Sequence, residues 1–165
     1  MLIRDADAGD LPDITRLFNV LIPTTTIAWR DHLASDEEIA IWFAERTARG
    51  DVVLVAEDDL GVNGYACYGP FRGGPRFPGY DTTVEQTVHV DERAHRTGVG
   101  RALLTELIAR ARANGIHVMV AGVDADNLAS IELHRSLGYV ETARMPEVGR
   151  KFDRWLDLVL LQLIL

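Results

Sequence analysis

Residues 95–101 combine glycine and arginine in a pattern that could bind phosphate. The segment lies between a predicted strand and a predicted amphipathic helix, and it reads His95, Arg96, Thr97, Gly98, Val99, Gly100 and Arg101. Glycine lets a ligand approach the backbone closely, and the first turn of a helix presents N–H groups without intrahelical partners. Residues 93–101 hold three arginines and no acid. The segment therefore predicts a diphosphate site, with a purely structural strand-to-helix turn as the alternative. It lacks the Gly-Lys-Ser/Thr of a P-loop and the glycine spacing of the dinucleotide-binding fingerprint.

The strand predicted just before this turn, at Thr82–Val90, has one polar face. Its residues alternate, with Val84, Val88 and Val90 on one side and Glu85, Thr87 and His89 on the other. Since successive side chains of a strand point to opposite faces, the valines are expected in the core and the polar residues on the open face. Glu85 is thus the carboxylate on the polar face of this strand.

The hydrophobic and turn patterns predict the order β-α-α-β-β-β-α-β-α-β-β, an α/β protein with a mixed sheet. The first helix is predicted to open at Asp10 and run to Leu21, and a capping box of Ser35 and Glu38 opens the second. A turn is predicted at 61–64, and two final strands are predicted within 139–165 on either side of Gly149-Arg150. We find no repeat, linker or low-complexity segment, so residues 1–165 are expected to form one domain.

Composition and charge exclude several classes of function. The 165 residues carry a net charge of −8, which disfavours wholesale binding to nucleic acid or to an anionic membrane. The single cysteine, Cys67, excludes an internal disulfide, and we expect it to be a small buried residue. His32 and His117 have no partner at the spacing of metal ligands, so no metal is expected. With no signal-peptide pattern and no apolar run of membrane-spanning length, the expected location is the cytoplasm.

Several sequence blocks, in the right order along nearly the whole chain, resemble the GNAT superfamily of N-acetyltransferases. Within it, the similarity is to the phosphinothricin and methionine sulfoximine acetyltransferase group. The blocks are 68–72, 79–80, 83–85, 95–100, 117–122, 127–134, 137–139, 148–149 and 151–158. The resemblance implies a mixed, mostly antiparallel, twisted sheet of about seven strands flanked by about four helices. It also implies transfer of an acetyl group from acetyl-CoA to a primary amine.

The resemblance assigns the cosubstrate to particular residues. The pyrophosphate of acetyl-CoA would lie on residues 95–101, and the pantetheine arm would pair with the backbone of Val88, His89 and Val90. Asn127 and Ser130, at the start of the next predicted helix, would hold the pantetheine or cap that helix. The family turn usually begins with Arg or Gln, so His95 is a departure, and the neighbouring Arg96 is the substitute cation.

Amine acetylation needs a proton acceptor, because an amine with a pKa of about 9–10 is mostly protonated at neutral pH. Glu85 is the candidate base, with a strand residue paired to an arginine as the alternative. His134 stands where many family members have a tyrosine that protonates the leaving thiolate. Two roles remain open for it, a proton donor or relay and a packed, hydrogen-bonded helix histidine.

The acceptor is expected to be a small amino-acid-like amine. Arg72 and Arg76 are candidate carboxylate receptors, with Tyr80, Thr87 and Glu85 beside them in the acceptor site. The family also implies a homodimer. Two alternatives stay open, an acetyltransferase acting on a peptide or protein amine and a non-catalytic CoA-binding module.

Overall fold

In the computed structural model, which describes residues 1–72 and 77–165, seven strands form one sheet. The strands are β1 (Leu2–Asp5), β2 (Val53–Asp58), β3 (Gly61–Pro70), β4 (Thr83–Val90), β5 (Val118–Asp124), β6 (Val140–Lys151) and β7 (Arg154–Ile164). Four α-helices accompany them, α1 (Leu11–Asn19), α2 (Asp36–Arg49), α3 (Val99–Ala113) and α4 (Leu128–Arg135). The predicted order of elements and the α/β class are confirmed.

The sheet has the order β1-β2-β3-β4-β5-β7-β6, and β4 with β5 is its one parallel pair. That pair is short, because its register covers only Thr83–Glu85 against Val118–Val120, although both strands continue. Beyond Glu85 the two strands therefore separate, while β4 stays paired to β3 as far as Val90. The expected mixed, mostly antiparallel sheet is confirmed. We call the gap between β4 and β5 that opens beside Glu85 the seam.

Helices cover both faces of the sheet and create two hydrophobic cores. On one face, α3 buries the apolar residues that its sequence spacing predicts, namely Val99, Leu103, Leu104, Leu107, Ile108 and Ala111. On the other face, α1 and α2 bury Ile14, Leu17 and Ile39 against β2 and β3, with Cys67 in the same core. The predicted burial of Cys67 is confirmed. No helix of the described ranges is long and apolar enough to cross a membrane.

Two turn predictions were wrong. β3 begins at Gly61, because the Asp58 carboxylate accepts the Leu60 N–H at 2.9 Å and closes the turn earlier than 61–64. The last hairpin reverses at Phe152 and Asp153, which both adopt positive φ, while Gly149 lies inside β6. Gly149 is needed there for another reason, since a Cβ at this position would clash with the Trp29 ring.

The predicted first helix also ends early, at Asn19 instead of Leu21. The Asp10 carboxylate does not cap it, because it accepts two hydrogen bonds from the Arg4 guanidinium, at 2.7 and 2.8 Å. The capping box of Ser35 and Glu38 at the start of α2 is confirmed.

The segment between α1 and α2 is fastened to the far end of the sheet by Lys151. This side chain is 3% exposed and donates to three backbone carbonyls, those of Ile22, Thr25 and Ala28, at 2.7, 2.9 and 2.5 Å. An ammonium group has three N–H donors, so each finds one acceptor. Together with the Trp29 ring packed on Gly149, this contact fixes residues 22–29 against β6.

Candidate active site

Glu85 lies at the last paired position of β4 and β5, between two glycines on the neighbouring strands. Gly69 of β3 is its direct partner in the register, and a Cβ built on Gly122 of β5 would lie 3.2 Å from Glu85 Oε1. The missing side chain at Gly122 leaves room for the Glu85 carboxylate, and the missing side chain at Gly69 leaves room for the Arg46 guanidinium. Partial burial raises the pKa of Glu85 above its ordinary value. A carboxylate with a raised pKa is a stronger base while it is still ionised at neutral pH.

The strand beyond Glu85 has the properties expected of a ligand-binding edge. Val88, His89 and Val90 pair with β3 on one side and have no pairing with β5 on the other. The His89 ring does not face solvent as the alternation indicated, because it packs against the rings of Phe18 and Tyr65 at centroid distances of 5.9 and 5.2 Å. Burial lowers the pKa of His89 to about 4. His89 can therefore contact a ligand in the seam through its backbone.

The turn before α3 presents free backbone donors. Gly98 caps the helix with a φ of +92° and no side chain bonds to the first turn. The first intrahelical bond runs from Ala102 N to Gly98 O, so in the described chain the N–H groups of 98–101 lack acceptors. Such an arrangement binds anions, because N–H groups and the helix dipole act in the same direction.

The cations around this turn divide into two groups. Arg93 pairs with Asp58 at 2.9 Å, so its charge is neutralised within the protein. Arg96 and Arg101 have no carboxylate partner in the part of the chain that the structure describes; Arg101 donates to Ser136 Oγ at 2.7 Å. The His95 ring contacts the Val90 carbonyl at 3.0 Å and ties the turn to the end of β4.

His134 is buried behind β4, with 1% of its surface exposed. Its Nδ1 lies 2.7 Å from the Ser130 carbonyl oxygen and its Nε2 lies 2.6 Å from Gln86 Nε2. Nδ1–H therefore donates to Ser130, and Nε2 accepts from the Gln86 amide. Burial lowers the pKa of His134, which favours the neutral ring. Of the two roles left open by the sequence, these contacts favour the packed, hydrogen-bonded histidine.

Asn127 and Ser130 form the N-terminal cap of α4. The Asn127 side chain accepts the Ser130 N–H at 3.2 Å, and the Ser130 hydroxyl lies 3.4 Å from His134 Nδ1. α4 also reaches α3, since a Cβ on Gly100 would lie 3.4 Å from Leu133. The start of α3 therefore packs against the C-terminal half of α4.

The predicted acceptor residues are divided between two cavities. Thr87 lines a cavity of about 410 Å³ between the sheet and helices α1 and α2, together with Phe18, Trp42 and Tyr65. Arg72 and Tyr80 line a second cavity of about 570 Å³ with Tyr68 and Asn114, at the start of β4. Arg76 lies outside the described residues. The structure thus separates Arg72 and Tyr80 from Thr87.

One residue on the Glu85 side of the sheet was missed by the sequence analysis. The Arg46 guanidinium stacks on the Trp42 ring at 4.5 Å and lies over Gly69, where a Cβ would be 3.2 Å from its Nη2. The spacing of Trp42 and Arg46, four residues apart on one helix face, was the available signal. Their position over Gly69 depends on tertiary packing, which this spacing does not reveal.

The fold and this site fit an enzyme of the group-transfer class, with a helix turn of free N–H groups, a gap between β4 and β5, and a partly buried carboxylate beside that gap. A model of the acetyltransferase (GNAT) family matches residues 14–139. The chain therefore belongs to the GNAT family of acetyltransferases, as the sequence blocks indicated. Among the described residues, no group of three or more His, Cys, Asp or Glu is placed to hold a metal ion.

Individual relatives are similar over almost the whole chain. An L-methionine sulfoximine/L-methionine sulfone acetyltransferase of Salmonella typhimurium is 44% identical, covering 99% of this chain and 94% of its own. A phosphinothricin N-acetyltransferase of Alcaligenes faecalis is 37% identical, covering 98% of this chain and 79% of its own. The structure of yncA from Salmonella typhimurium, solved with its cofactor acetyl-CoA, has a TM-score of 0.95 at 43% identity, covering 99% of this chain and 93% of that one.

Proposed function

We propose that this chain, acting as one domain, transfers the acetyl group of acetyl-CoA to the amine of a small amino-acid-like acceptor. The observation that carries the proposal is the position of Glu85, a carboxylate of raised pKa at the point where β4 and β5 separate. The relatives that act on methionine sulfoximine and phosphinothricin support this acceptor class.

The residues before and within α3 fit a diphosphate. The free N–H groups of 98–101 and the unpaired charges of Arg96 and Arg101 would hold it, and the absence of a Cβ at Gly98 leaves that side open, with nothing within 4 Å. The unpaired edge of Val88–Val90 would hold the pantetheine arm by backbone hydrogen bonds. Asn127 and Ser130 would border the same arm. Acetyl-CoA, when bound, supplies the activated thioester.

Glu85 supplies the base. It takes a proton from the ammonium form of the acceptor, directly or through one water, and the free amine then attacks the acetyl carbonyl carbon. The new C–N bond forms while the C–S bond breaks, and the thiolate takes its proton from solvent. Glu85 passes this first proton to solvent and then accepts the second proton, which the nitrogen loses as the amide forms. We assign His134 to holding Gln86 and the α4 helix in place, since both of its ring nitrogens have protein partners.

The experiment is an acetyl-transfer assay with purified protein, acetyl-CoA and a panel of amino acids that includes methionine sulfoximine and phosphinothricin. We expect release of free thiol with at least one amino acid, and loss of that release in Glu85→Gln. Arg4→Gln, which changes an ion pair far from the seam, serves as a general control for substitution effects. Cofactor binding without turnover on any small amine would overturn the proposal, and turnover only on peptide amines would favour the protein-directed alternative.

We further propose that the chain works as a homodimer in the cytoplasm. β6 is an outer strand of the sheet, and its hairpin with β7 exposes Met145, Val148, Phe152 and Trp155, of which Trp155 is 61% exposed. Such a cluster of exposed apolar residues is typical of an interface. A free thiol at Cys67 and the use of acetyl-CoA support the cytoplasm. Light scattering of the wild type and of Trp155→Glu tests the assembly, with a monomeric wild type as the contrary result.

A further inference from the structure

We propose that Arg46 is the receptor for the acceptor's carboxylate, which makes it the residue that selects amino acids over simple amines. This inference rests on the proposed function and adds to it the group that the enzyme recognises. It is independent of Arg72 and Arg76, the arginines that the sequence suggested for this role.

Arg46 is held on the same side of the sheet as the proposed base. Its guanidinium lies over Gly69, and Gly69 is the direct cross-strand partner of Glu85. Directly opposite residues of an antiparallel pair have Cβ positions about 5 Å apart and point to the same face. The Glu85 carboxylate leans the other way, toward Gly122 of β5. The guanidinium thus lies over β3 and the carboxylate leans toward β5, on the same face of the sheet with β4 between them.

The Arg46 guanidinium stacks on the Trp42 ring and contacts the buried Cys67 thiol, but neither neighbour neutralises its charge. No carboxylate of the described residues pairs with it, and the four remaining residues, 73–76, contain no acid. Its Nε atom is buried without a hydrogen-bond partner in the described ranges. Arg96 and Arg101 also lack carboxylate partners, but they lie at the turn before α3, and Arg72 lines the second cavity. Arg46 is thus an unpaired cation facing the region where the acceptor must lie.

The local packing orients this guanidinium in advance. Trp42 stacks on it at 4.5 Å, and the glycine at position 69 lets it lie against the sheet. A planar guanidinium held in this way binds a carboxylate through two parallel N–H···O bonds, which a lysine cannot reproduce. In an α-amino acid, the amine and the carboxylate are bonded to the same carbon. A ligand of that shape can place its amine at Glu85 and its carboxylate at Arg46.

The test compares an amino acid with its carboxamide, which keeps the amine but loses the negative charge. We expect the wild type to prefer the acid. Arg46→Met should lower kcat/KM for the acid at least 100-fold, mainly through KM, and change the carboxamide less than threefold. Arg46→Gln, which keeps a shorter polar side chain without the charge, should show the same loss of preference. Arg49→Met, three residues further along α2, should retain the wild-type preference, and the KM for acetyl-CoA should not change in any variant.

Three outcomes would overturn the inference. Equal losses for the acid and the carboxamide in both Arg46 variants would indicate a structural role. If Arg72→Met loses the preference for the acid and Arg46→Met keeps it, the carboxylate binds Arg72. Unchanged acid preference in Arg46→Met would remove Arg46 from recognition. Calorimetric binding of the amino acid and its carboxamide in the presence of CoA gives the same comparison without turnover. That measurement separates failure of this inference from failure of the proposed acetyl transfer.

Discussion

Replacing Lys151 with methionine keeps the length of the side chain and removes its three donors. Three carbonyls, those of Ile22, Thr25 and Ala28, then face an apolar group in a site where Lys151 was 3% exposed. Leaving a buried acceptor without its donor costs about 1–3 kcal/mol, and we expect about 3–5 kcal/mol in total because the chain around the three carbonyls relaxes in part. For a domain of this size each kcal/mol lowers Tm by about 2–4 °C. We therefore expect Tm to fall by about 6–20 °C.

The assay is thermal and urea unfolding of Lys151→Met beside Arg150→Met. Arg150 is the neighbouring residue of the same strand, but its side chain is exposed, pairs with the exposed Asp153 and lies over the exposed Trp155 ring. Exposed ion pairs contribute about 0–1 kcal/mol, so this control should remain close to the wild type. Hydrogen exchange should further show faster exchange within residues 20–30 in Lys151→Met and not in Arg150→Met. That local signal separates loss of the anchor from general destabilisation.

A Lys151→Met variant with the Tm of the Arg150→Met control would refute the reasoning. It would mean that the cost of desolvating the ammonium equals the gain from its three hydrogen bonds. Normal exchange protection of residues 20–30 would lead to the same conclusion. A large loss of Tm with unchanged exchange there would show that Lys151 matters for packing in β6 and not as an anchor for the segment.

The remaining predictions concern Glu85, His89 and Gly122. Burial raises the pKa of Glu85, and the carboxylate must be ionised to accept a proton, so kcat/KM should fall as the pH drops through that raised value. Glu85→Gln should lower kcat by about 10²–10⁴-fold, and an unchanged kcat in the thiol-release assay would exclude the base role. Burial lowers the pKa of His89 from 6.5 to about 4, so the unfolded chain binds the proton more readily than the folded chain. The free energy of unfolding should therefore fall by about 3 kcal/mol as the pH falls from 6.5 to about 4. His89→Phe should reduce that slope in urea unfolding, and equal slopes would contradict the assignment. Gly122→Val should lower kcat/KM at least about tenfold at unchanged stability, because even a Cβ at position 122 would lie 3.2 Å from Glu85 Oε1. An unchanged kcat/KM would show that the acceptor does not need the space beside Glu85.

Patterns confined to one element were sufficient to predict most of the fold. The apolar stripe of α3 and the apolar run of β5 each reflect burial that a local sequence window records. The hairpin at Phe152 and Asp153 escaped prediction because two non-glycine residues adopt positive φ there, against their ordinary preference. Gly149, which the sequence pattern predicts in the turn, instead lies inside β6 because any side chain there would clash with the Trp29 ring.

The site was harder to predict where it depends on contacts between distant residues. Glu85 and the turn at 95–101 could be found, since strand alternation and glycine spacing are local signals. The His89 ring is buried because Phe18 of α1 packs on this face of the sheet, and the alternation of residues along β4 does not reveal where α1 lies. Arg46 reaches Gly69 through the packing of α2 on the sheet, and Lys151 contacts carbonyls more than 120 residues earlier in the chain. These contacts exist only once the register and the packing are fixed.

The burial of Lys151 has a chemical consequence for a protein that handles an activated acetyl group. Lys151 is the single lysine of the chain, and every other basic side chain that carries a fixed charge is an arginine. Acetylation requires an uncharged amine with an available lone pair, whereas this ammonium donates all three N–H groups and is closed to solvent. The folded enzyme therefore offers no side-chain amine to its own cosubstrate. The positive charge of its surface side chains is carried by arginines, which offer no amine to acetylate.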